Sequence, residues 1–250
     1  YAASEFDTLG RALAELPALA HLNLGDNNWD LHVRKRQNDL TKGQYWDRST
    51  TLLGVPLQLA MGFTPLIDGL VQSQSLEELV IEERVLDVVS LRTKPEVLIE
   101  ATAQPPCEAI AIAKLVETNS QLRNVNLGNI SMIAEVGEAL KSVVDALPNL
   151  ETVTINGILF PLLRLQTAQT TLAFTDAALP KHFGRIIASV ITRSSALEEL
   201  DLRGHNFEDH NVDIADAAAD MKGLSVYNKI PLMPQDSTLD LSGKKIMQHG

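Results

Sequence analysis

The sequence predicts an α/β fold in the form of a solenoid, with parallel strands on a concave face and helices and irregular segments on the convex face. The first observation is a leucine motif at residues 196–207, in which Leu200 and Leu202 would point to the same side of a strand. The second observation is that the motif recurs along the chain. The third is the regular interval between several copies, which leaves room for a helix after each strand.

The motif has the form Leu-x-x-Leu-x-Leu, and one such unit cannot bury its own apolar edge without neighbours. Fuller copies begin at Leu19, Leu76, Leu122, Leu150 and Leu197. The first of them also has the asparagine and aromatic residue that complete the pattern, Asn27 and Trp29. Weaker copies lack the leading leucine, and these are Leu57-x-Leu59, Val97-x-Ile99, Leu172-x-Phe174 and Leu239-x-Leu241.

This pattern resembles the leucine-rich repeat superfamily and is similar to its ribonuclease-inhibitor-like subclass. The resemblance implies a single solenoid domain over residues 1–250, built from about eight or nine degenerate repeats. Two intervals, Ile81 to Ile99 and Ile155 to Phe174, are clearly shorter than the others and leave little room for a full helix. The asparagine position is also eroded, since it is occupied elsewhere by Arg84, Ile130, Ile158, His205 and Lys244.

Composition favours an intracellular, cytoplasmic protein. The 250 residues carry a net charge of −11, and a single cysteine, Cys107, excludes an internal disulfide. The chain contains no run of about 18 apolar residues that would span a membrane. It begins without a signal peptide and without methionine. The last motif, at Leu239 and Leu241, stops after its strand, so we expect either a longer chain or a partner that covers this end.

Helices are predicted between the strands from apolar residues three and four positions apart. The expected helices cover residues 3–16, a segment that starts at Thr64-Pro65, a segment that starts at Pro105-Pro106, and residues 131–147, 177–193 and 211–221. Ser131 and Asn211 are the predicted caps of two of them. Cys107 lies on an apolar helix face without a nearby histidine, which predicts a packed core thiol.

Residues 30–50 form a basic insertion in an acidic protein, with Arg34, Lys35, Arg36, Lys42 and Arg48 around Tyr45-Trp46. Such a cluster would suit nucleic-acid contact or a nuclear address. A solvated insertion loop is the interpretation we favour, because a single short cluster is weak evidence for either function.

A cluster of histidines and acids raises the question of a metal site. It comprises His205, Glu208, Asp209, His210, Asp213 and Asp216. The spacing of the two histidines fits no familiar zinc motif, and His205 has a structural place in the repeat. We therefore predict no metal and no cofactor. The sequence also contains no phosphate loop, because Gly243-Lys244-Lys245 lacks the preceding glycine at the required interval.

The function predicted from the fold is a non-catalytic protein–protein interaction scaffold, within a larger assembly, that binds through its concave sheet. The alternative, which the resemblance implies, is a regulator that accelerates a small GTPase in the manner of the Ran GTPase-activating proteins. That alternative would need a polar rim loop such as Asn27-Asn28 or Asn206 to reach a nucleotide. Nothing in the sequence forms a catalytic set, so we do not expect an enzyme.

The predicted binding surface is acidic. Strand alternation places on it Glu78, Glu82, Glu96, Glu100, Glu199, Asp201 and Arg203. The first four would converge if their strands were neighbours about 4.8 Å apart. Such a patch predicts a Lys/Arg-rich protein segment as partner and no nucleic acid on this face, because phosphates would be repelled. The competing interpretation is an acidic face kept for solubility.

Overall fold

The computed structural model describes residues 3–16, 19–24, 64, 66–81, 84–99, 104–174, 179–221, 223–228 and 230–231. These form two compact units, Tyr1–Val97 with Thr102–Leu122, and Leu98–Ala101 with Arg123–Gly250. Several sequence-based predictions lie outside the described residues. They concern the basic insertion at 30–50, Asn27 and Trp29, the motif at Leu57 and Leu59, and the last motif at Leu239 and Leu241.

The first unit alternates helices with short strands. Pro106 occupies the first turn of its best-buried helix, where a missing N–H costs nothing, and Pro105 directly precedes it. The elements are α1 (Ala3–Ala14), β1 (His21–Leu24), α2 (66–72), β2 (Glu78–Ile81), β3 (Arg84–Asp87), α3 (Val88–Thr93), β4 (Glu96–Leu98) and α4 (Pro106–Glu117). The division between the units falls within β4.

The second unit continues the alternation. Its elements are β5 (Asn124–Asn126), α5 (Ala134–Ala146), β6 (Thr152–Ile155), β7 (Ile158–Phe160), α6 (Leu162–Thr167), β8 (Thr171–Ala173), α7 (Phe183–Arg193), β9 (Glu199–Asp201), α8 (His210–Ala219), β10 (Val226–Tyr227) and β11 (Ile230–Pro231). Two predicted caps are wrong. Helix α5 begins after Ile133 rather than at Ser131, and α8 begins after Asp209, so that Asn211 lies inside the helix.

The strands form three small, separate sheets, so the predicted solenoid is wrong. The strand orders are β1-β2-β3, β4-β5-β6-β7 and β11-β10-β9-β8. Several motif strands do pair in parallel, as β1 with β2, β5 with β6, and β8 with β9, and β9 also pairs in parallel with β10. Each sheet, however, also contains an antiparallel hairpin, β2–β3, β6–β7 or β10–β11. The described chain is therefore a mixed α/β structure without one continuous parallel sheet.

The turn between β6 and β7 gives the physical reason for this difference. Ile155 pairs with Ile158, so the loop contains only Asn156 and Gly157, and both have positive φ angles of 53° and 77°. This is the two-residue Asn-Gly turn that reverses a strand into a hairpin. The returning strand β7 occupies the side of β6 on which the next parallel strand would have paired. The sequence motif placed Ile158 at the asparagine position of a repeat. In the structure it is the first residue of that returning strand.

The same combination of hairpin and short helix occurs twice in the described residues. In the first copy, β3 leads directly into α3, and Thr93 Oγ1 donates to the Val89 carbonyl at 2.7 Å. In the second, β7 leads into α6 after Pro161, and Thr167 Oγ1 donates to the Leu163 carbonyl at 2.8 Å. These two copies fill the short intervals between motifs that the sequence shows. A hairpin strand and a six-residue helix take the place of a longer repeat helix.

The predicted inward positions are confirmed as buried in most of the described motif strands, although Leu22 in β1 is only half-buried. Leu79, Val125, Val153 and Leu200 are each at most 2% exposed. Cys107 is also buried, as predicted for a core thiol. Three phenylalanines consolidate the second unit, where the Phe160 ring centroid lies 5.5 Å from that of Phe174 and 6.2 Å from that of Phe183. Burial of these side chains supplies the main stabilisation of the strands.

Two arginines satisfy helix carbonyls that would otherwise lack a partner. In the first unit, the Arg92 guanidinium donates to the carbonyls of Ser73 at 2.7 Å and Val71 at 2.9 Å, at the end of α2. In the second, Arg193 donates to the carbonyls of Val144 and Pro148, at the end of α5. Burial lowers the pKa of both guanidinium groups. A positive charge at a helix C-terminus also complements the helix dipole.

We expect Leu200→Ala to lower the free energy of unfolding by about 2–5 kcal/mol, because Leu200 is fully buried and the change leaves a cavity. The matched control is Leu98→Ala, since Leu98 is 76% exposed and its removal should cost within about 0.5 kcal/mol. Denaturant unfolding of both variants makes the comparison. Equal losses would show that the inward register of β9 is misassigned.

The hairpin turn is tested by Gly157→Ala. A Cβ at this position would meet no atom within 4 Å, so the only penalty is the left-handed backbone conformation. We expect a loss of about 1–2 kcal/mol in the free energy of unfolding, measured by denaturant titration. A neutral result would mean that the loop does not hold Gly157 at positive φ. Ala168→Gly, at the end of α6, provides a control that changes the same two residue types in the opposite direction.

Candidate functional site

The candidate site is the outward side of the sheet β1-β2-β3, which we call the open face of the first sheet. Strand alternation buries Leu79, Ile81 and Leu86 on the opposite side. Two cross-strand rows remain on the open face. Pairing in register defines an ionisable row of His21, Glu78 and Asp87, and beside it a row of Asn23, Val80 and Val85.

The ionisable row places two acidic residues at paired positions on neighbouring strands. Glu78 stands directly opposite Asp87 in the antiparallel pair, and like charges at such positions repel. On the other side, His21 Nδ1 lies 3.8 Å from Glu78 Oε1. Both side chains of that contact are open to solvent, His21 by 68% and Glu78 by 44%. The row therefore has a surplus of negative charge at neutral pH.

Asp87 keeps its charge because it also caps a helix. Its carboxylate accepts hydrogen bonds from the Ser90 hydroxyl at 2.5 Å and from the Ser90 backbone N–H at 2.9 Å, at the start of α3. These two bonds, the hydroxyl first, lower the pKa of Asp87, with a smaller contribution from Lys94. Asp87 is thus a fixed anion at the edge of the open face.

The second row and the adjoining helix expose apolar side chains. Val85 is 58% exposed on β3, and Val89 is 48% exposed on α3. Their counterparts in the second copy of the hairpin and short helix are Leu159 and Leu163, which are also exposed. Sequence reasoning missed all four residues, because it did not predict the hairpins that place them. The Asn156-Gly157 dipeptide was the available signal for the second pair.

The structure does not bring the predicted acidic residues together in the expected way. Glu78 is on β2, whose neighbours are β1 and β3, whereas Glu96 is on β4 in a different sheet. The expectation that their strands are neighbours is wrong, because the hairpin strand β3 occupies that side of β2. Glu82 and Glu100 lie outside the described residues. A binding role for any of these four residues stays a prediction.

Asp201 and Arg203 interact with each other. The Asp201 carboxylate is buried and accepts hydrogen bonds from Arg203 Nε and Nη2, each at 2.9 Å. This interaction raises the pKa of Arg203, chiefly through the side-chain hydrogen bond. Glu199, on the same strand β9, is half-buried and pairs in register with Thr171 and Val226. Partner binding by these three residues also stays a prediction.

The outward side of β5 and β6 is uncharged. Asn124 and Asn126 lie beside Thr152 and Thr154 in register, and Thr152 Oγ1 donates to Asn124 Oδ1 at 2.7 Å. The predicted acidic character therefore does not extend to these two strands. It is confined, among the sheet faces described, to positions on the first sheet and on β4 and β9.

The histidine and acid cluster that raised the question of metal binding is dispersed in the structure. His205 is buried and its Nε2 contacts the Phe174 carbonyl, whereas His210 contacts His182 and Asp213. Within the described ranges, no group of three or more histidine, cysteine, aspartate or glutamate side chains is placed to hold a metal ion. Asn206, named for the GTPase alternative, accepts a hydrogen bond from the backbone N–H of Glu208 at 2.9 Å.

Compared with known proteins, the sequence matches no family model and no curated protein. The resemblance to the leucine-rich repeat superfamily therefore stays a prediction at the level of the sequence motif. In the part of the chain that the structure describes, every helix is too short or too polar to cross a membrane.

The Asp201–Arg203 pair gives a prediction about internal electrostatics. We expect Arg203→Leu to lower the Tm by several degrees, because it leaves the buried Asp201 carboxylate with fewer donors. The control is Arg123→Leu, which breaks a pair with Glu151 in which Arg123 is 57% exposed. Exposed pairs of this kind contribute little, so the control should melt close to the wild type. Equal Tm values for the two variants would argue that Asp201 is solvated.

Proposed function

We propose that this chain is a non-catalytic protein-binding module whose partner lays a segment with Lys/Arg and apolar side chains on the open face of the first sheet. The observation that carries the proposal is the pair of adjoining rows on that face. One row places Glu78 directly opposite Asp87, and the other exposes Val85 beside Val80. Along each of these two strands, an acidic position and an apolar position thus lie next to each other on the open face.

A cationic side chain between Glu78 and Asp87 would relieve their repulsion. Isolated carboxylates on a solvated sheet need no partner, but two in direct cross-strand register weaken the sheet slightly. A lysine or arginine from a partner converts that repulsion into two attractive interactions. Electrostatic complementarity of this kind raises the association rate and selects against acidic partners. The same charges disfavour nucleic acid on this face, because its phosphates are anionic.

The apolar row supports a protein partner rather than a small cation. Val85 and Val89 together expose aliphatic surface on the hairpin strand and the helix that follows it. Covering such surface contributes about 25 cal/mol per Å² of apolar area removed from water. An inorganic cation would gain nothing from it, whereas a peptide that alternates basic and aliphatic side chains would contact both rows. A subunit of a larger assembly could provide such a segment.

The test uses two defined probes, a fluorescein-labelled peptide of alternating lysine and valine, and the same peptide with every lysine replaced by glutamate. We expect the basic peptide to bind the full chain, with a Kd that rises with salt, and the acidic peptide not to bind. Glu78→Lys should weaken binding of the basic peptide at least about fivefold. Val85→Asp should weaken the contact between the valines of the peptide and the apolar row. It also adds a negative charge to the open face of the first sheet.

Glu198→Lys is the matched control, since Glu198 is exposed, belongs to the other unit and lies outside the first sheet. It makes the same change in net charge as Glu78→Lys, so it removes the general effect of the protein's negative charge. The proposal fails if both reversals weaken binding equally, or if the acidic peptide binds as well as the basic one.

A further inference from the structure

Two histidines from separate segments meet where α7 and α8 begin. His182 directly precedes α7, and His210 is the first residue of α8. His182 Nδ1 lies 3.4 Å from His210 Nε2, and the ring centroids are 5.6 Å apart. The contact is close at the backbone too, since a Cβ on Gly184 would lie 2.6 Å from the His210 Cβ. The beginnings of the two helices therefore have little room to adjust.

The charged groups around this histidine pair come from every packed element. On α7, Arg185 Nε lies 3.4 Å from His210 Nδ1, and on α8 the Asp213 carboxylate lies 3.3 Å from the same nitrogen. In the flanking loops, Lys181 forms an ion pair with Glu208 at 2.9 Å. On α5, Glu138 pairs with Arg185, and Lys141 pairs with Asp145. Asp209, exposed, adjoins His210 along the chain.

Charge balance explains how this arrangement responds to acid. With both imidazoles neutral, Glu208 and Glu138 offset Lys181 and Arg185, and Asp213 remains beside His210. If one ring is protonated, the negative charge of the Asp213 carboxylate balances the added positive charge. Protonation of both rings places two cations 3.4 Å apart, with Arg185 close to one of them. The doubly protonated pair is therefore repulsive in this geometry.

We propose that His182 and His210 form an acid-sensitive contact that holds the start of α8 against α7 at neutral pH and releases it when both imidazoles are protonated. Histidine is the side chain whose ordinary pKa allows such a change near physiological pH. The proposal is independent of the open face of the first sheet, because both histidines belong to the second unit.

The direction of the pH effect follows from His182. Its pKa is lowered, first by burial and then by Lys181, His210 and Arg185. The folded state thus binds this proton less readily than the unfolded state, for which the value is 6.5. The resulting stabilisation is present above pH 6.5 and is lost as the pH falls through the lower folded value.

Release of α8 has a definite structural consequence. The helix contributes Ile214 and Ala218 to the core, and Phe207, just before it, packs near Gly184. Helix α8 also connects β9 to β10, which pair in parallel. Loosening it would expose these side chains and weaken the pairing of β9 with β10, the two central strands of the third sheet. The α5–α7 contact keeps its own Glu138–Arg185 pair.

The experiment is hydrogen–deuterium exchange of the full chain at pH 7.5 and pH 5.0, corrected for the pH dependence of intrinsic exchange. We expect the protection of α8 peptides to fall severalfold at pH 5.0 in the wild type. In His182→Gln/His210→Gln the fall should be less than about twofold. His21→Gln, an exposed histidine in the other unit, should behave as the wild type.

The proposal is overturned if wild-type α8 protection is equal at the two pH values, or falls equally in the double variant. Should the double variant fail to fold, NMR titration of the wild-type imidazoles decides the matter. The pKa of His182 should then lie below its ordinary value of 6.5. A pKa of His182 at or above 6.5 would contradict the contact.

Discussion

Burial of the inward side chains of the short strands is the constraint on which the rest of the structure depends. Strands this short form too few hydrogen bonds to persist alone. They are stable because residues such as Val125, Val153 and Leu200 insert between the strand and its helices. This requirement fixes which face of each strand is inward. Arg92 and Arg193 add to this packing by donating to carbonyls at two helix C-termini.

The hairpins have two effects on the sheets. A returning antiparallel strand uses the hydrogen-bonding side of its neighbour, so the parallel sheet cannot grow in that direction. It also presents its outward residues beside those of the neighbouring strand. On the first sheet this places Val85 next to Val80 and Asp87 opposite Glu78. The feature that interrupts the sheet is therefore the one that forms the proposed binding surface.

Charged residues serve different purposes in the two units. In the first unit, Glu78 and His21 are exposed on a sheet face, and Asp87 is held as an anion by Ser90. In the second unit, Asp201 is buried with Arg203, and Glu138 is paired with Arg185. The first arrangement leaves negative charge available to a partner. In the second unit the charges pair with each other, and the Glu138–Arg185 pair joins α5 to α7. The histidine pair is the contact that we propose to be sensitive to protonation.

The sequence alone determined which residues are inward, because alternation along a strand and the spacing along a helix are local properties. Leu79, Leu200 and Cys107 were assigned correctly on this basis, and Pro106 marked a helix start. Local patterns also showed the surplus of acidic residues, but they did not show which of them would be neighbours. The repeat spacing suggested that every motif strand would pair with the next one.

Only the tertiary structure decided where each sheet ends and which side chains meet. Strand neighbours depend on turn geometry, and one Asn-Gly turn is enough to replace a parallel neighbour by an antiparallel one. Contacts across long separations have no local signature. His182 meets His210, 28 residues away, and Arg193 donates to the Val144 carbonyl, 49 residues away. These pairings follow from how the helices pack over the strands, because packing sets the distances between residues that local periodicity does not relate.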